Sequence, residues 1–524
     1  MTVNYKTDAS AVSDYNAAFF ETEGRKRLAQ VITFGCKMNE NDAEKIAGLL
    51  CEMGFDIESP PARGRHGNPA PLGAIGAANN VGDAKNVGDA NDVGVVLGGV
   101  RLPELIILNT CCVRGNAEQR FFGILGSLKR YKADDPSRVL AVCGCMMQEE
   151  KAVASIRDKY GYVDFIFGTK SISMLPALLA GAYRERSIPA HTDKRKYQIP
   201  VANALSDGAP DDHIPMRRKA PPLALVSIMS GCDNFCAYCV VPYVRGRERS
   251  RTPESIVAEA ERLASEGYRE LMLLGQNVNS YGGGLSGGRV DFPDLLERLS
   301  DISGICRIRF MTSHPKDLSD RLIRAIRELD PVCPQLHLPV QSGSSAVLER
   351  MNRGYSRVQY MLLAGKLRDA VPEIALSTDF IVGFPGESER DFDDTLSLAE
   401  ELRFDLAYTF LFSPREGTAA AEFTDRVPDA VAKERFDRLL ALQNGISAEK
   451  NRALEGSVQQ VLCEGASKTG GDRYTGKTPG GKTVNFLPDA RERSLTSDSS
   501  YALGKLYDVR IETAKTWSLD GIAI

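Results

Sequence analysis

Cys232, Cys236 and Cys239 stand in the run Ser230-Gly-Cys-Asp-Asn-Phe-Cys-Ala-Tyr-Cys-Val240, a C-x3-C-x2-C triplet. Three cysteines this close must wrap one small object on one loop. A zinc knuckle is one reading, but a structural zinc site wants four protein ligands and none lies nearby. A cubane iron–sulfur cluster held by three thiolates keeps one iron open for a ligand the protein does not supply.

Three further cysteines lie in Phe34-Gly-Cys36-Lys-Met-Asn39, Asn109-Thr-Cys111-Cys112-Val-Arg114 and Cys143-Gly-Cys145-Met-Met. Each follows a short apolar stretch: Val31-Ile-Thr-Phe34, Leu105-Ile-Ile-Leu108 and Val139-Leu-Ala-Val142. Each precedes a segment that reads as a helix. Strand-then-helix repeats imply a parallel sheet whose functional loops follow the strand C-termini. Cys36, Cys111 and Cys145 would then converge on one sheet edge. Packing as small hydrophobes is the alternative. Their place at strand ends, beside Gly or Asn, favours a second cluster. Cys112 and Cys143 are adjacent alternates, and since neighbouring side chains on a strand point apart, only one of each pair should ligate. Cys51, Cys306, Cys333 and Cys463 lie alone and read as structural.

The triplet, with Tyr238 before its last cysteine, resembles the signature of the radical S-adenosylmethionine (SAM) superfamily. Taken with the second constellation, the chain resembles the radical SAM methylthiotransferases, and within them the tRNA-modifying MiaB type. The blocks that carry this are Gly35-Cys36-Lys-Met-Asn39-Glu-Asn-Asp42, Leu108-Asn-Thr-Cys111, Gly144-Cys145, Ser227-Ile-Met-Ser-Gly-Cys232 and Val240-Val-Pro-Tyr-Val-Arg-Gly246. Leu273-Leu-Gly-Gln-Asn-Val-Asn279, Thr312-Ser-His-Pro315, His337-Leu-Pro-Val-Gln-Ser-Gly343 and Asp379-Phe-Ile-Val-Gly-Phe-Pro-Gly-Glu387 follow in order. The resemblance runs from about Leu28 to the C-terminus, with two departures. Cys112 stands where the family often has another residue, and residues 61–100 look like an insertion.

A chain of 524 residues is too long for one core, and two to three domains are expected. A net charge of −4 gives no global basic field, so any RNA contact must come from local patches. Twelve cysteines clustered in this way suit metal binding in a reducing, cytoplasmic compartment rather than a disulfide framework. No apolar run long enough to span a membrane occurs, and the acidic residues of the first 28 argue against a leader.

The fold class expected is α/β. Residues 1–28 read as a mobile polar extension. Residues 29–190 read as a doubly wound parallel-sheet domain, interrupted at 61–100 by a flexible Gly/Asn/Ala-rich insertion with the imperfect repeat Asn80-Val-Gly-Asp-Ala-Lys. A linker is expected over 191–222. Residues 223–450 show repeated strand–helix units that suggest a parallel barrel, complete or partial, and the resemblance implies the partial (β/α)6 version. From 455 to 524, short strands between Gly-rich turns suit a small β-barrel, where the family places a TRAM domain.

Polar residues at the barrel strand ends are candidates to hold SAM: Gln276, Asn277, Ser313, Gln341, Ser342, Ser377 and Asp379. Each could equally cap a helix or satisfy backbone groups. Candidates for RNA phosphates are Arg245, Arg247, Arg249 and Arg251, directly after the triplet, and Arg473, Lys477 and Lys482, with Lys468, on a turn of the terminal barrel. Tyr243 and Tyr474 could stack on bases. The resemblance implies two [4Fe-4S] clusters, held by Cys36, Cys111 and Cys145 and by Cys232, Cys236 and Cys239. It also implies SAM as methyl donor and radical source, and methylthiolation at C2 of N6-isopentenyladenosine beside the anticodon of tRNA. No catalytic residue beyond the cluster ligands is expected. An electron donor, no membrane partner and a monomer complete the expectation. Rivals are methylthiolation of a threonylcarbamoyladenosine tRNA or of a ribosomal-protein aspartate, and a non-catalytic iron–sulfur protein that binds RNA.

Two clusters require about eight irons and eight sulfides per chain. Changing Cys232, Cys236 and Cys239 together to Ala should leave about half of each, measured by iron and sulfide assay, and retention of the full content would sink the two-triad assignment.

Overall fold

Leu105-Ile-Ile-Leu108 and Val139-Leu-Ala-Val142 are apolar on both pleat faces, the composition of strands covered on both sides. In the computed structural model they form the centre of a parallel sheet. The structure describes residues 5–58, 102–112, 115–186, 199–203, 214–285, 290–468, 470, 472–488 and 502–524. These residues fall into two compact units that meet at Arg218/Lys219.

The first unit is built on β1 (Leu28–Thr33), β2 (Asp56–Glu58), β3 (Leu105–Thr110), β4 (Val139–Gly144), β5 (Phe165–Phe167) and β6 (Val201–Ala202), in the order β2-β1-β3-β4-β5-β6. Every pairing is parallel. The order reverses between β1 and β3, and the crevice at such a switch point is where doubly wound sheets bind ligands. On one face Ala29, Val31, Leu105, Ile107, Val139, Ala141, Phe165 and Phe167 pack against Ile46, Leu49 and Leu50 of helix Lys37–Glu52 and Leu175 and Leu179 of helix Leu175–Arg186.

Two expectations are corrected here. Residues 5–23 of the supposed extension form a helix. Val12, Tyr15, Asn16 and Phe19 give it an i, i+3, i+4, i+7 stripe, too narrow to register against a polar composition. Val12 is buried, Asn16 Nδ2 donates to the Met53 carbonyl at 2.7 Å, and Tyr15 stacks on Tyr183 at 4.2 Å. The 191–222 linker is also partly structured. Val201–Ala202 is the sixth strand, and the Arg217 N–H donates to the Glu44 carbonyl at 2.9 Å. Gly48 permits that approach, because a Cβ there would lie 2.1 Å from the Pro215 oxygen. The insertion at 61–100 lies outside the described residues.

The second unit opens with β7 (Leu223–Ser227), followed by a two-stranded antiparallel pair, β8 (Met229–Ser230) and β9 (Arg249–Ser250). β10 (Glu270–Leu274), β11 (Arg307–Phe310), β12 (Gln335–His337), β13 (Ala375–Val382) and β14 (Leu406–Leu411) complete a series of parallel strands. They pair as β11-β10-β7 and β12-β13-β14, with one bridge, Ile308 to Val332, at the seam between β11 and β12. Leu271, Leu273, Ile308, Phe310, Leu376 and Phe380 join the core under the outer helices. The alternate residues Glu270, Arg307, Arg309, Ser377 and Asp379 therefore face the inside of the partial barrel. Thr252 caps helix Pro253–Ser265 by accepting from the Ser255 N–H, as its sequence position suggests.

β15 (Val458–Ala466), β16 (Tyr474–Lys477), β17 (Thr483–Leu487), β18 (Leu506–Ala514) and β19 (Ser518–Ala523) close a small barrel in the order β15-β16-β17-β19-β18. Val461, Cys463, Val484, Phe486, Val509, Ile511 and Leu519 fill it. Its turn at Thr478–Gly481 reaches the N-terminal ends of the parallel strands. Arg309 donates to the carbonyls of Thr478 (2.6 Å) and Pro479 (2.7 Å) and pairs through Nε with Glu270 at 2.9 Å. Both partners of that pair are almost fully buried, at 3% and 2% side-chain exposure. Arg307 adds bonds to the carbonyls of Lys477 (2.5 Å) and Gln460 (3.1 Å).

Removing one member of a buried pair leaves an uncompensated charge and typically costs about 3–5 kcal/mol. Arg309→Met should lower the urea midpoint of the full chain accordingly. A wild-type midpoint would show that the junction contributes nothing to stability.

Candidate active site

In the first unit Cys36, Cys111 and Cys145 follow the last residues of β1, β3 and β4, three neighbours in the sheet. Gly35, at φ +134°, lets the first loop cross the second, since a Cβ there would lie 2.4 Å from Cys111 Cβ. Asn39 and Asn109 lock the crossing: Asn39 Nδ2 donates to Asn109 Oδ1 and to the Thr110 carbonyl, both at 3.2 Å, and Asn109 Nδ2 donates to the Asn39 carbonyl at 2.8 Å. The Cys36 thiol donates to Asn39 Oδ1 at 3.3 Å. Gly144, at φ +104°, turns the chain so that Cys145 begins a short 3-10 turn.

The two alternates separate. Cys143 packs with Val139 and Ala141 in the helix-covered core, and burial raises its pKa well above the usual thiol range. Pleat alternation alone would have put Cys143 and Cys145 on one side; the left-handed Gly144 between them breaks it. Cys112 stays at the site, because the chain has left the strand. A hydrogen bond with Cys145 and burial raise its pKa. Among the described residues no three His, Cys, Asp or Glu converge on one metal ion; a cubane cluster is a larger object whose thiolates bind different irons.

In the second unit the triplet lies on the loop between β8 and helix Val241–Arg245. Gly231 holds its start against the Arg247 carbonyl, where a Cβ would meet the oxygen at 2.0 Å, and its N–H donates to Gln276 Oε1 at 2.6 Å. The Cys232 N–H donates to the Gly246 carbonyl at 3.1 Å, and Asn234 Nδ2 reaches the Cys232 sulfur at 3.5 Å. Burial pushes the Cys232 thiol up to about 11 and the Cys239 thiol up to about 12. Such thiols ionise only when a metal replaces the proton. Sequence reasoning missed Arg353, which is buried and donates to the Cys236 sulfur at 3.3 Å and to Tyr238 Oη at 3.4 Å.

The strand-end candidates divide by what they already bond. Gln276 anchors the triplet loop. Asn277 is committed to the fold, donating to Asp317 at 2.8 Å and accepting from the His314 N–H at 3.1 Å. Ser342 is likewise taken, by the Ser344 N–H and Thr395. Ser377 Oγ lies 3.0 Å from His337 Nδ1, and Asp379 lies 3.4 Å from the other ring nitrogen. Gln341 is buried with φ +74° in a bridge to Phe380. Ser313 Oγ and His314 Nε2 are buried without a partner. Burial, then the charges of Arg353 and Lys316, depress His314 to about 2. Its imidazole is therefore neutral at any ordinary pH. Orphaned polar atoms of this kind require a partner, and with the adjoining thiol loop they fit a polar cofactor such as SAM.

The basic candidates are sorted by burial. Arg245 is buried, and Arg251 is held by Glu259 (2.6 Å) and the Ser227 carbonyl (2.8 Å). Lys482 lies in the junction between the barrels, bonded to Asp405 (3.2 Å) and Asn451 (2.8 Å). Contrary to expectation, Arg251 and Lys482 are thus already engaged by partners within the fold, and Arg245 is withdrawn from solvent. Tyr474 also turns inward, onto Phe486 at 5.8 Å. Arg249 sits on the short β9 and is partly exposed, as are Arg473 and Lys477. Arg247 is 69% exposed beside Asp233, and its guanidinium lies 5.2 Å from the Phe235 ring. Phe235 and Tyr243 form an exposed edge-to-face pair at 6.1 Å. Trp517, the single tryptophan of the chain, is 68% exposed on the β18–β19 turn. Its place in Lys515-Thr-Trp517 is a signal the sequence reading passed over.

Gly144→Ala would drive a Cβ to 2.1 Å from the Thr110 oxygen in a left-handed conformation. It should displace Cys145 and remove about half of the iron, the share of one of two clusters, while the second unit's cluster remains. Full iron content in this variant would exclude the β4 loop from cluster binding.

Comparison with known proteins identifies the family. The radical SAM superfamily profile matches residues 226–399, and that of uncharacterized protein family UPF0004 matches residues 91–168. A tRNA-2-methylthio-N(6)-dimethylallyladenosine synthase from Acetivibrio thermocellus is 46% identical over 95% of this chain and 91% of its own length. Relatives of the same name from Clostridium botulinum (44%; 93% of this chain, 95% of the relative) and Thermoanaerobacter pseudethanolicus (43%; 96% and 93%) are similar. Among solved structures, the radical SAM methyltransferase TsrM from Kitasatospora setae aligns over 76% of this chain and 77% of its own, with TM-score 0.50 and 15% identity, a likeness of fold alone. At this identity over nearly the whole length, the chain belongs to the family of tRNA-2-methylthio-N(6)-dimethylallyladenosine synthases, within the radical SAM superfamily.

Proposed function

We propose that the protein transfers a methylthio group to C2 of N6-isopentenyladenosine (the N6-dimethylallyladenosine of its relatives' name) beside the anticodon of tRNA, using SAM both as methyl donor and as radical source. The single observation that carries this is the 46% identity to a synthase of that name over 95% of the chain. An aromatic C–H bond on adenine is neither acidic nor polarised enough for acid–base catalysis, and a reducing cluster with SAM supplies the one-electron chemistry this bond requires.

The chain's own residues bind, orient and exclude water. Cys232, Cys236 and Cys239 hold the cluster of the second unit on a loop that Gly231 and Gln276 fix in place. Ser313 Oγ, and His314 through its neutral Nε2, offer SAM the hydrogen bonds they otherwise lack; His337 orients Ser377 and Asp379 on the barrel's inner face, and Gln341 lies beside them. Cys36, Cys111 and Cys145 would hold the second cluster at the β1/β3 switch point, where it would supply the sulfur chemistry of the transfer. The target adenine must leave its stack to reach a buried site. Arg247, Arg249, Arg473 and Lys477 serve the phosphates, while Tyr243 and Trp517 offer faces to unpaired bases. The protein acts as a cytoplasmic monomer supplied by an electron donor. Among the described residues no helix is long and apolar enough to cross a membrane.

Nucleoside mass spectrometry of tRNA from a strain lacking the protein should show N6-isopentenyladenosine without its 2-methylthio form, restored by the wild-type gene. An unchanged 2-methylthio signal would overturn the assignment. Trp517→Ala should weaken tRNA binding by about 1–3 kcal/mol, the worth of one stacked base. As the only tryptophan, Trp517 should also report binding directly through quenched emission; unchanged affinity with unquenched emission would remove it from the interface.

A further inference from the structure

We infer that Arg353 is a positioning residue that sets the reduction potential of the cluster on the Cys232–Cys239 loop, by placing a permanent buried positive charge and an N–H donor on the sulfur of Cys236. The inference rests on Cys236 being a cluster ligand.

Arg353 lies in the run Met351-Asn-Arg-Gly-Tyr355, after the short helix Ser345–Arg350. It is 5% exposed. Three of its links fix the guanidinium plane away from the sulfur: Nε donates to Tyr355 Oη at 2.9 Å, Nη2 to the Pro339 carbonyl at 2.9 Å, and the Tyr355 ring lies 5.3 Å from the central carbon. The remaining nitrogen, Nη1, is shared between Cys236 Sγ at 3.3 Å and Tyr238 Oη at 3.4 Å. Flanking backbone bonds hold the same register, from the Ala237 N–H to the Met351 carbonyl (2.9 Å) and from Asn352 Nδ2 to the Phe235 carbonyl (3.0 Å). Among the described residues no carboxylate is bonded to Arg353. Its charge is thus spent on the thiol loop rather than on an ion pair.

A purely structural arginine at this depth would be expected to meet a carboxylate. Guanidinium cannot shed its proton in a protein, so burying it beside a neutral thiol would be costly. The arrangement becomes favourable once three thiolates and a cluster make the loop negative. Each added electron deepens that negative charge, and a fixed cation therefore stabilises the reduced state more than the oxidised one. Net charge and hydrogen bonds to the sulfurs are among the factors that set cluster potentials.

The test uses the full-length chain carrying C36A, C111A and C145A, so that one cluster titrates. Its midpoint is followed by anaerobic redox titration with electron paramagnetic resonance. R353Q keeps donors without the charge and should shift the reduction equilibrium at least tenfold toward the oxidised cluster, about 59 mV downward for one electron. R353K keeps the charge on a single nitrogen that cannot make all four hydrogen bonds, and should give a smaller fall in the same direction. An unchanged potential in whichever variant retains the cluster overturns the proposal. Loss of the cluster from both marks Arg353 as a residue of the fold and overturns it too. Iron content of Cys236→Ser, measured separately, tests the underlying assignment: full iron there means that Cys236 is not a ligand, whereas lost iron with an unchanged R353Q potential defeats only the role of Arg353.

Discussion

Parallel strands laid side by side deliver the loops that follow them to one edge, and the chemistry-bearing cysteines depend on that constraint. β1, β3 and β4 carry Cys36, Cys111 and Cys145 past the sheet at adjacent positions. β1 and β3 flank the switch point of the strand order, where doubly wound sheets form their binding crevice. In the second unit the triplet follows the first strand, and Gln276, Ser313 and Gln341 follow later ones. Neither site needs a special backbone beyond a few left-handed residues, Gly35, Gly144 and Gly231 among them. Each stands where a Cβ would strike a neighbouring loop.

The opposite end of the partial barrel has a different task. Glu270, Arg307, Arg309 and Gln335 point inward there, and a half-open barrel would leave them facing water or a void. The Thr478–Gly481 turn of the terminal barrel supplies carbonyls to both arginines. Buried charge, usually a liability, becomes a specific joint because every guanidinium nitrogen of Arg309 has an acceptor. Lys482 and Lys450, both paired with Asp405, extend the same joint. The terminal barrel therefore braces the base of the partial barrel. Cutting it away would strip the carbonyl acceptors from Arg307 and Arg309.

Burial also separates what each cluster loop can do before metal arrives. Cys232 and Cys239 are held as neutral thiols by desolvation, and the buried charge of Arg353 favours the ionised form of Cys239. His314 is kept neutral by the same dry surroundings. Its unpartnered nitrogen and the Ser313 hydroxyl therefore meet an incoming ligand as hydrogen-bonding groups, not as charges.

The sequence by itself determined the cluster triplet, because its three cysteines are neighbours on one loop and their spacing is the geometry. It also determined the layers, since apolar strand runs alternating with amphipathic helices leave few arrangements open, and the three dispersed cysteines at strand ends point to one sheet edge. Only the tertiary structure decided which polar groups are available. Asn277, Ser342, Arg251 and Lys482 look like ligands for a cofactor or phosphate until their partners within the fold are seen. Ser313 Oγ and His314 Nε2 stand out because they have no partner among the described residues. The helix Tyr5–Glu23 was hidden for the same reason: its stripe of Val12, Tyr15, Asn16 and Phe19 gains meaning only against Met53 and Tyr183. Arg353 was invisible because a hydrogen bond between residues 117 positions apart leaves no local pattern.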